Sequence, residues 1–417
     1  MTDVVIVGSG VIGLATAYAL RKRGARVTVV ESHAGSHGAS VVNAGWICPS
    51  LPGPVPAPGL VMQSLKWMLR SDSPLYIRPT LDFDYLRWLV GFWRHCNARA
   101  YAHALAATTA LNARTFELFD EMRASGVGYE EHKTGILFVF HSLANLEHDL
   151  RALEPLKKHG IKPPRPYGTT ELHELEPSLS ASITGGFWYE GDRHVRPDTL
   201  TGGLTDWLKA HDVEFRTNTR VIDIEHANGR ARAVNTTGGR IPSDAIVIAA
   251  GARTGALTKT VGITLPIQGG KGYCLDYAPS PVPLGRPIDF AESRFVASPM
   301  EGMIRLAGTM EFSGINDTVR QERVTALARG AARAFTGWPE GTGGAVADSG
   351  LRPITPDGLP VIGWLPGFGN LAVASGHAML GVTLSASTGE AIADLVTTGR
   401  PPDVIEPFAP ARFRKGS

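Results

Sequence analysis

Residues 4–13 read VVIVGSGVIG, and the chain continues as LATAYALRKRG (14–24) and ARVTVVE (25–31). Four consecutive apolar residues ahead of a glycine suit a parallel strand buried on both faces. Gly8, Gly10 and Gly13 then stand in the spacing G-x-G-x-x-G. A helix is predicted from about Val11 to Arg23, ended by Gly24, and a second apolar strand ends at Glu31. Together these make one βαβ unit of about 30 residues. In such a unit the first glycine permits a tight turn, the second lets backbone approach a pyrophosphate, and the third lets helix and strand pack closely. The helix N-terminus adds unpaired N–H groups and partial positive charge for the phosphates. Glu31, about 20 residues on, is placed to accept hydrogen bonds from ribose hydroxyls. The pattern predicts dinucleotide binding without dividing NAD from FAD.

A second glycine turn lies near the other end: LAVASG (371–376), HAMLGV (377–382), then the helical run TLSASTGEAIADLV (383–396). Two such turns suggest that both ends of one large cofactor are held, which points to FAD. A helix starting near Val382 would aim its N–H groups at the negative charge that a reduced flavin carries near N1 and the C2 carbonyl. Gly376 and Gly381 would let the backbone come close.

Composition narrows the classes. At 417 residues two domains are expected. A net charge of +2, from 41 basic and 39 acidic residues, argues against a nucleic-acid surface. Cys48, Cys96 and Cys274 are far apart, so neither a disulfide framework nor a zinc site is suggested and a reducing compartment fits. The histidines lack metal-ligand spacing. The first strand begins almost at Met1 and no run of eighteen apolar residues occurs, so neither a signal peptide nor a membrane span is expected. A cytoplasmic protein is the expectation.

Along the chain, SLPGPVPAPG (50–59) can be neither helix nor central strand, and 35–59 reads as a long loop. Helical spacing follows from 60 to 125. Strands are predicted at 135–140 and 183–189, through VEFRTNTRVIDIE (213–225), ARAVNT (231–236) and DAIVIAAG (244–251), and again over 264–312. Helices are expected at 199–210 and 318–334. Domains interrupted in sequence follow: 1–50, 195–265 and 345–417 for the cofactor, 51–194 and 266–344 for a substrate.

DAIVIAAG, ASVVNAG (39–45), GLRPITPDGLPVIG (350–363) and SGHAMLGVTLSASTGEAIADL (375–395) together make a specific pattern. The chain resembles the FAD-dependent D-amino-acid oxidoreductase family from Val4 to about Arg400, and within it the bacterial D-amino-acid dehydrogenases more than glycine oxidase. KWM (66–68), KGYCL (271–275) and PFAPARF (407–413) add to the likeness. The resemblance implies an α/β protein: a Rossmann-like, glutathione-reductase-like FAD domain with an inserted substrate domain of mixed sheet plus helices. It implies non-covalent FAD held by Gly8, Gly10, Val11, Ile12, Gly13, Glu31 and Ser32, by Asn43, Ala44 and Gly45 beside the isoalloxazine, and by Val221 at the adenine. Gly251 and the main chain of Met379, Leu380, Gly381 and Val382 complete the set.

Arg352 precedes Pro353, which keeps it out of a helix. A guanidinium there can grip a carboxylate with two parallel hydrogen bonds, or make a surface salt bridge. The resemblance assigns it the carboxylate of an amino acid substrate. Tyr273 is expected to donate to the same carboxylate or wall the pocket, with a buried core tyrosine as the alternative. His377 is either a general base or, more in keeping with its place, an anchor of the turn. Trp46 is a pocket wall or a core residue, and Arg196 in HVRPDTL faces solvent unless the substrate carries a second anion. The aromatic stripe YLRWLVGFWRHC (85–96) reads as core, with contact to the inner membrane face as the alternative.

The implied reaction is oxidative deamination, most naturally of a D-amino acid, by hydride transfer to flavin N5, giving a 2-oxo acid and ammonia. A secondary amino acid such as hydroxyproline or sarcosine is the chemical alternative. The flavin subunit of a larger complex is the alternative of another class. Oxygen, a quinone or an electron-transfer partner would take the electrons.

Overall fold

The computed structural model describes residues 2–60, 62 and 75–414. The KWM tripeptide (66–68) lies outside them.

A six-stranded sheet runs in the order Glu214–Arg216, Arg26–Val30, Asp3–Val7, Ala245–Ile248, Leu371–Ser375, Val361–Trp364. All neighbours are parallel except the last pair. The alternation within the first strand explains why it is apolar throughout. Val4 and Ile6 pack toward the helices Val11–Lys22 and Ser385–Thr398, while Val5 and Val7 pack toward Val221, Ile224 and Val234 of a three-stranded antiparallel sheet. The two helices touch closely because Gly389 has no Cβ, which would stand 2.5 Å from the Ala15 carbonyl oxygen. DAIVIAAG forms the strand beside the first one, in register Val5 to Ile246.

The second layer is a mixed sheet in the order Val346–Ile354, Gln268–Tyr277, Met303–Phe312, Phe295–Met300, Ile288–Phe290, Ile136–Phe140, Gly185–Tyr189, Pro166–Gly168, with Leu75–Ile77 beside Met303–Phe312. The helix Gln321–Ala334 seals one face through Val324, Leu327 and Ala331. The other face looks toward the cofactor half of the molecule. The helix expected at 199–210 spans Pro197–Ala210 and that at 318–334 spans Gln321–Ala334.

The aromatic stripe divides. In the helix Phe83–His95, capped by Asp82 through the Asp84 and Tyr85 N–H groups, Tyr85 and Trp88 are buried as expected of core. Phe83, Leu86, Val90 and Trp93 are exposed, so only one face of the stripe is core. No helix among the described residues is long and apolar enough to cross a membrane.

Candidate functional site

One cavity of about 2270 Å³ runs between the two sheets. Its first end is the glycine turn. Gly8 adopts φ 111°, and a Cβ there would meet the Ala249 carbonyl oxygen at 2.5 Å. A Cβ on Gly13 would stand 2.0 Å from the Gly8 carbonyl oxygen. The turn is therefore locked by backbone on two sides, which is the packing its spacing implies. The Gly10 and Ile12 N–H groups donate to no acceptor among the described residues, while Val11 N–H is held by Ser40 Oγ at 3.0 Å.

Glu31 is buried where the second strand ends. Its Oε2 accepts from Ser9 N at 2.9 Å and Ser9 Oγ at 3.1 Å, and its Oε1 accepts from Ser32 Oγ and His33 N, each at 3.0 Å. Burial opposes its ionisation, but those N–H and side-chain donors outweigh it and hold the carboxyl below its ordinary range. Glu31 thus fastens the glycine turn as well as facing the cavity, and a ribose hydroxyl would share its oxygens with Ser9 or Ser32. Val221 and Gly251 line the cavity beyond it.

The loop 38–45 forms the middle wall. Asn43 turns its side chain back on its own loop, donating to the Ala39 and Ser40 carbonyls and accepting from Gly45 N–H at 2.7 Å, so only its main chain and that of Ala44 and Gly45 face inward. Gly45 has φ 76°, and a Cβ would collide with the Val195 carbonyl oxygen at 1.9 Å. Trp46 also lines the cavity, its Nε1–H on Ser298 Oγ at 3.0 Å. Sequence reasoning missed the residue that carries this loop. Arg305, buried in the strand Met303–Phe312, forks onto Asp276 with two bonds of 2.7 Å and donates to the Val41 and Asn43 carbonyls. It ties the loop 38–45 to the mixed sheet.

The second glycine turn closes the far end. Met379, Leu380, Gly381 and Val382 all line the cavity. The helix begins at Ser385 rather than near Val382, because Leu380 to Leu384 form an open turn before it. The difference leaves the N–H groups of Gly381, Val382 and Thr383 without acceptors among the described residues. His377 is buried, with Nε2 and Thr388 Oγ1 3.0 Å apart, and desolvation pushes its pKa down to about 3. The imidazole is tied to the following helix, and burial favours its neutral form with a single ring N–H.

Arg352 lies between these ends. Its strand is pinned on both sides, Pro353 accepting from Ala378 N–H and Ile354 accepting from Trp88 Nε1–H. The guanidinium passes over Gly272, where a Cβ would fall 2.2 Å from Nη1, and donates to the Thr309 carbonyl at 3.0 Å. Thr309 holds φ 60°, a left-handed conformation costly for a β-branched residue, so the carbonyl that aims the guanidinium is set by a strained backbone. No carboxylate of the described residues pairs with Arg352. Desolvation lowers its pKa to about 10, the Cys274 thiolate form offsetting a little. A half-buried charged fork with no carboxylate partner, facing a cavity, can receive an anion.

Tyr273 does not join it. Its hydroxyl donates to Glu311 at 2.8 Å, in a buried group with Lys271 on the opposite face of the sheet. Strand alternation puts Gly272 toward the cavity and its neighbour away, so the substrate role expected for Tyr273 gives way to the core role. Arg196 forks onto Asp198 outside the cavity. Arg412 of the PFAPARF ending clamps Asp357 in the turn after Arg352. The described residues contain no metal-binding cluster.

The model of the family described as FAD dependent oxidoreductase matches residues 3–395. The chain is 32% identical over 416 residues to a protein of Cereibacter sphaeroides named D-amino acid dehydrogenase, covering 96% of this chain and 93% of that one. It is 32% identical over 414 residues to a D-amino acid dehydrogenase of Xanthobacter autotrophicus, covering 96% of each. Among solved structures, glycine oxidase from Geobacillus kaustophilus superposes with a TM-score of 0.76 at 25% identity over 99% of each chain.

Proposed function

The chain belongs to the FAD dependent oxidoreductase family, and on that premise we propose that it oxidises an amino acid, most naturally of D configuration, to the 2-oxo acid and ammonia. The observation that carries this reading is the half-buried Arg352 guanidinium, which faces the cavity with no carboxylate partner among the described residues. The relatives named D-amino acid dehydrogenase support the substrate class.

The residues present fit FAD. Gly10, Ile12 and their neighbours would hold the pyrophosphate, Glu31 and Ser32 the ribose, Val221 and Gly251 the adenine end. Ala44, Gly45 and the open turn 379–382 would border the ring system, with the unpaired N–H groups of Gly381 and Val382 offered to its electron-rich edge. The chemistry FAD supplies when bound is that of a two-electron acceptor for the α-hydrogen taken as hydride. The chain's own part is orientation. Arg352 would fix the carboxylate at two points, so that the α-carbon has one approach, and the loop tied by Arg305 would keep the cavity wall in place. A neutral His377 and the distant Tyr273 leave the amine to bind already deprotonated.

The test is binding of hexanoate, which has no α-amine to oxidise, followed by perturbation of the flavin spectrum. Arg352 pairs with a carboxylate only when protonated, and in the free site its pKa is lowered to about 10. Affinity should therefore stay level below that pH and fall by about tenfold per unit above it. Affinity indifferent to pH from 8 to 11 would separate the anion from Arg352.

For the electron acceptor we favour a quinone at a lipid surface over oxygen or a protein partner. The support is the exposed apolar stripe of Phe83, Leu86, Val90 and Trp93 on the helix that also walls the cavity, with exposed Leu81 just before it. Co-sedimentation with lipid vesicles, abolished by Trp93→Asp, reads that contact; sedimentation unaffected by the substitution would remove the support.

A further inference from the structure

The substrate half of the cavity contains a second charged group that neither the sequence motifs nor the reaction above use. Asp289 lies in the strand Ile288–Phe290, between Phe138 of one neighbouring strand and Val296 of the other. It lines the same cavity as Arg352, and its side chain takes part in no hydrogen bond or ion pair among the described residues. A carboxylate left in that condition in an enclosed space costs free energy unless a ligand supplies a donor.

Its distance from Arg352 follows from the register. Asp289 pairs with Val296, Val296 pairs with Ala307, and Ala307 is two residues before Thr309, whose carbonyl holds the guanidinium. Two inter-strand steps and two residues along a strand separate the backbones by about 12 Å. Asp289, Val296, Ala307 and Thr309 all line the cavity, so the gap lies along its wall. An extended chain of about five or six bonds from a carboxylate carbon to a terminal nitrogen covers about 6–8 Å. With a charge-assisted hydrogen bond of about 2.8 Å at each end such a chain spans about 12–14 Å, of the same order as the backbone separation.

We infer that Asp289 is a specificity-determining residue that receives the cationic end of a basic amino acid whose carboxylate is held by Arg352. This rests on the amino-acid reading above and extends it to a substrate class: amino acids with an ammonium at the end of an unbranched side chain. Desolvation pushes the Asp289 pKa up to about 7, nearby Arg294 opposing the rise and Asp149 adding to it. A bound cation would favour the ionised form, so the pair strengthens as the ligand enters. The α-amine is the wrong partner, because it stands next to the carboxylate and therefore at the Arg352 end.

The experiment uses FAD-loaded protein and two probes that cannot be oxidised at an α-amine, hexanoate and 6-aminohexanoate, titrated at pH 8 by the flavin spectrum. In the parent protein 6-aminohexanoate should bind about tenfold tighter or more. In Asp289→Asn that preference should collapse to about unity. In parallel, the ratio of kcat/KM for D-lysine to that for D-norleucine should fall by about tenfold or more in the variant. Hexanoate binding as tightly as its amino derivative, or a preference that survives Asp289→Asn, overturns the inference while leaving the amino-acid reading intact. Binding of neither probe, together with oxidation of no amino acid, removes the reading and the inference with it.

Discussion

Arg352→Ala is expected to lower kcat/KM for an amino acid by about 30- to 5000-fold, the range for losing one member of a buried charge pair at about 2–5 kcal/mol. FAD content should stay near that of the parent, because the guanidinium bonds to the Thr309 carbonyl and not to the residues of the two glycine turns. Arg352→Lys should recover little, since an ammonium cannot reproduce a planar two-point grip. Thermal stability should not fall in Arg352→Met. The parent holds a desolvated cation without a carboxylate, and an apolar chain of similar length removes that cost. Steady-state kinetics, flavin quantitation and melting curves on the three variants check the account. A melting temperature that drops along with activity would make Arg352 a structural residue.

Gly272→Ala is expected to reproduce much of that loss without touching the arginine. The new methyl carbon would lie 2.2–2.3 Å from three guanidinium atoms of Arg352. These are the far end of a flexible side chain, so the fold can yield by displacing the guanidinium rather than backbone. A shift of about 1 Å in a positioning group costs about a hundredfold in rate. The expected result is folded, yellow protein with kcat/KM lowered by about two orders of magnitude, and weakened hexanoate binding. Kinetics equal to the parent's would show that the guanidinium position seen here is not the one that works.

The two glycine turns were legible because their chemistry is local. Gly8 and Gly13 meet backbone of the turn itself and of the strand beside it, so spacing alone carries that geometry, while Gly10 faces Ser40 of the next loop. The resemblance singled out Arg352, and the strand before Pro353 does bring it to the cavity. Tyr273 was not legible. The strand Gln268–Tyr277 is buried on both faces from Gly269 to Leu275, so no polar alternation marks which side meets the cavity. A bulge between Lys271 and Tyr273 in its pairing with Met303–Phe312 further obscures the parity. Arg305 and Asp289 were missed for another reason. Each is an isolated charge among apolar neighbours, and what gives it meaning is a partner more than 260 residues away in Val41 and Asn43, or a cavity assembled from distant segments. The start of the last helix was misplaced by three residues because the open turn from Leu380 to Leu384 continues the same small-residue pattern as the helix itself.

The central claim is that a carboxylate held by Arg352 decides what is oxidised. The most direct measurement mixes the oxidised holoenzyme, without oxygen, with a D-amino acid and separately with the amine that lacks its carboxylate. Flavin bleaching is followed in time, and 2-oxo acid and ammonia are then assayed. The account predicts rapid bleaching by the amino acid with one 2-oxo acid and one ammonia formed per flavin reduced, and bleaching at least about a hundredfold slower by the amine, whose binding would leave the guanidinium unpaired. Equal bleaching by the amine, or none by any amino acid, would contradict it.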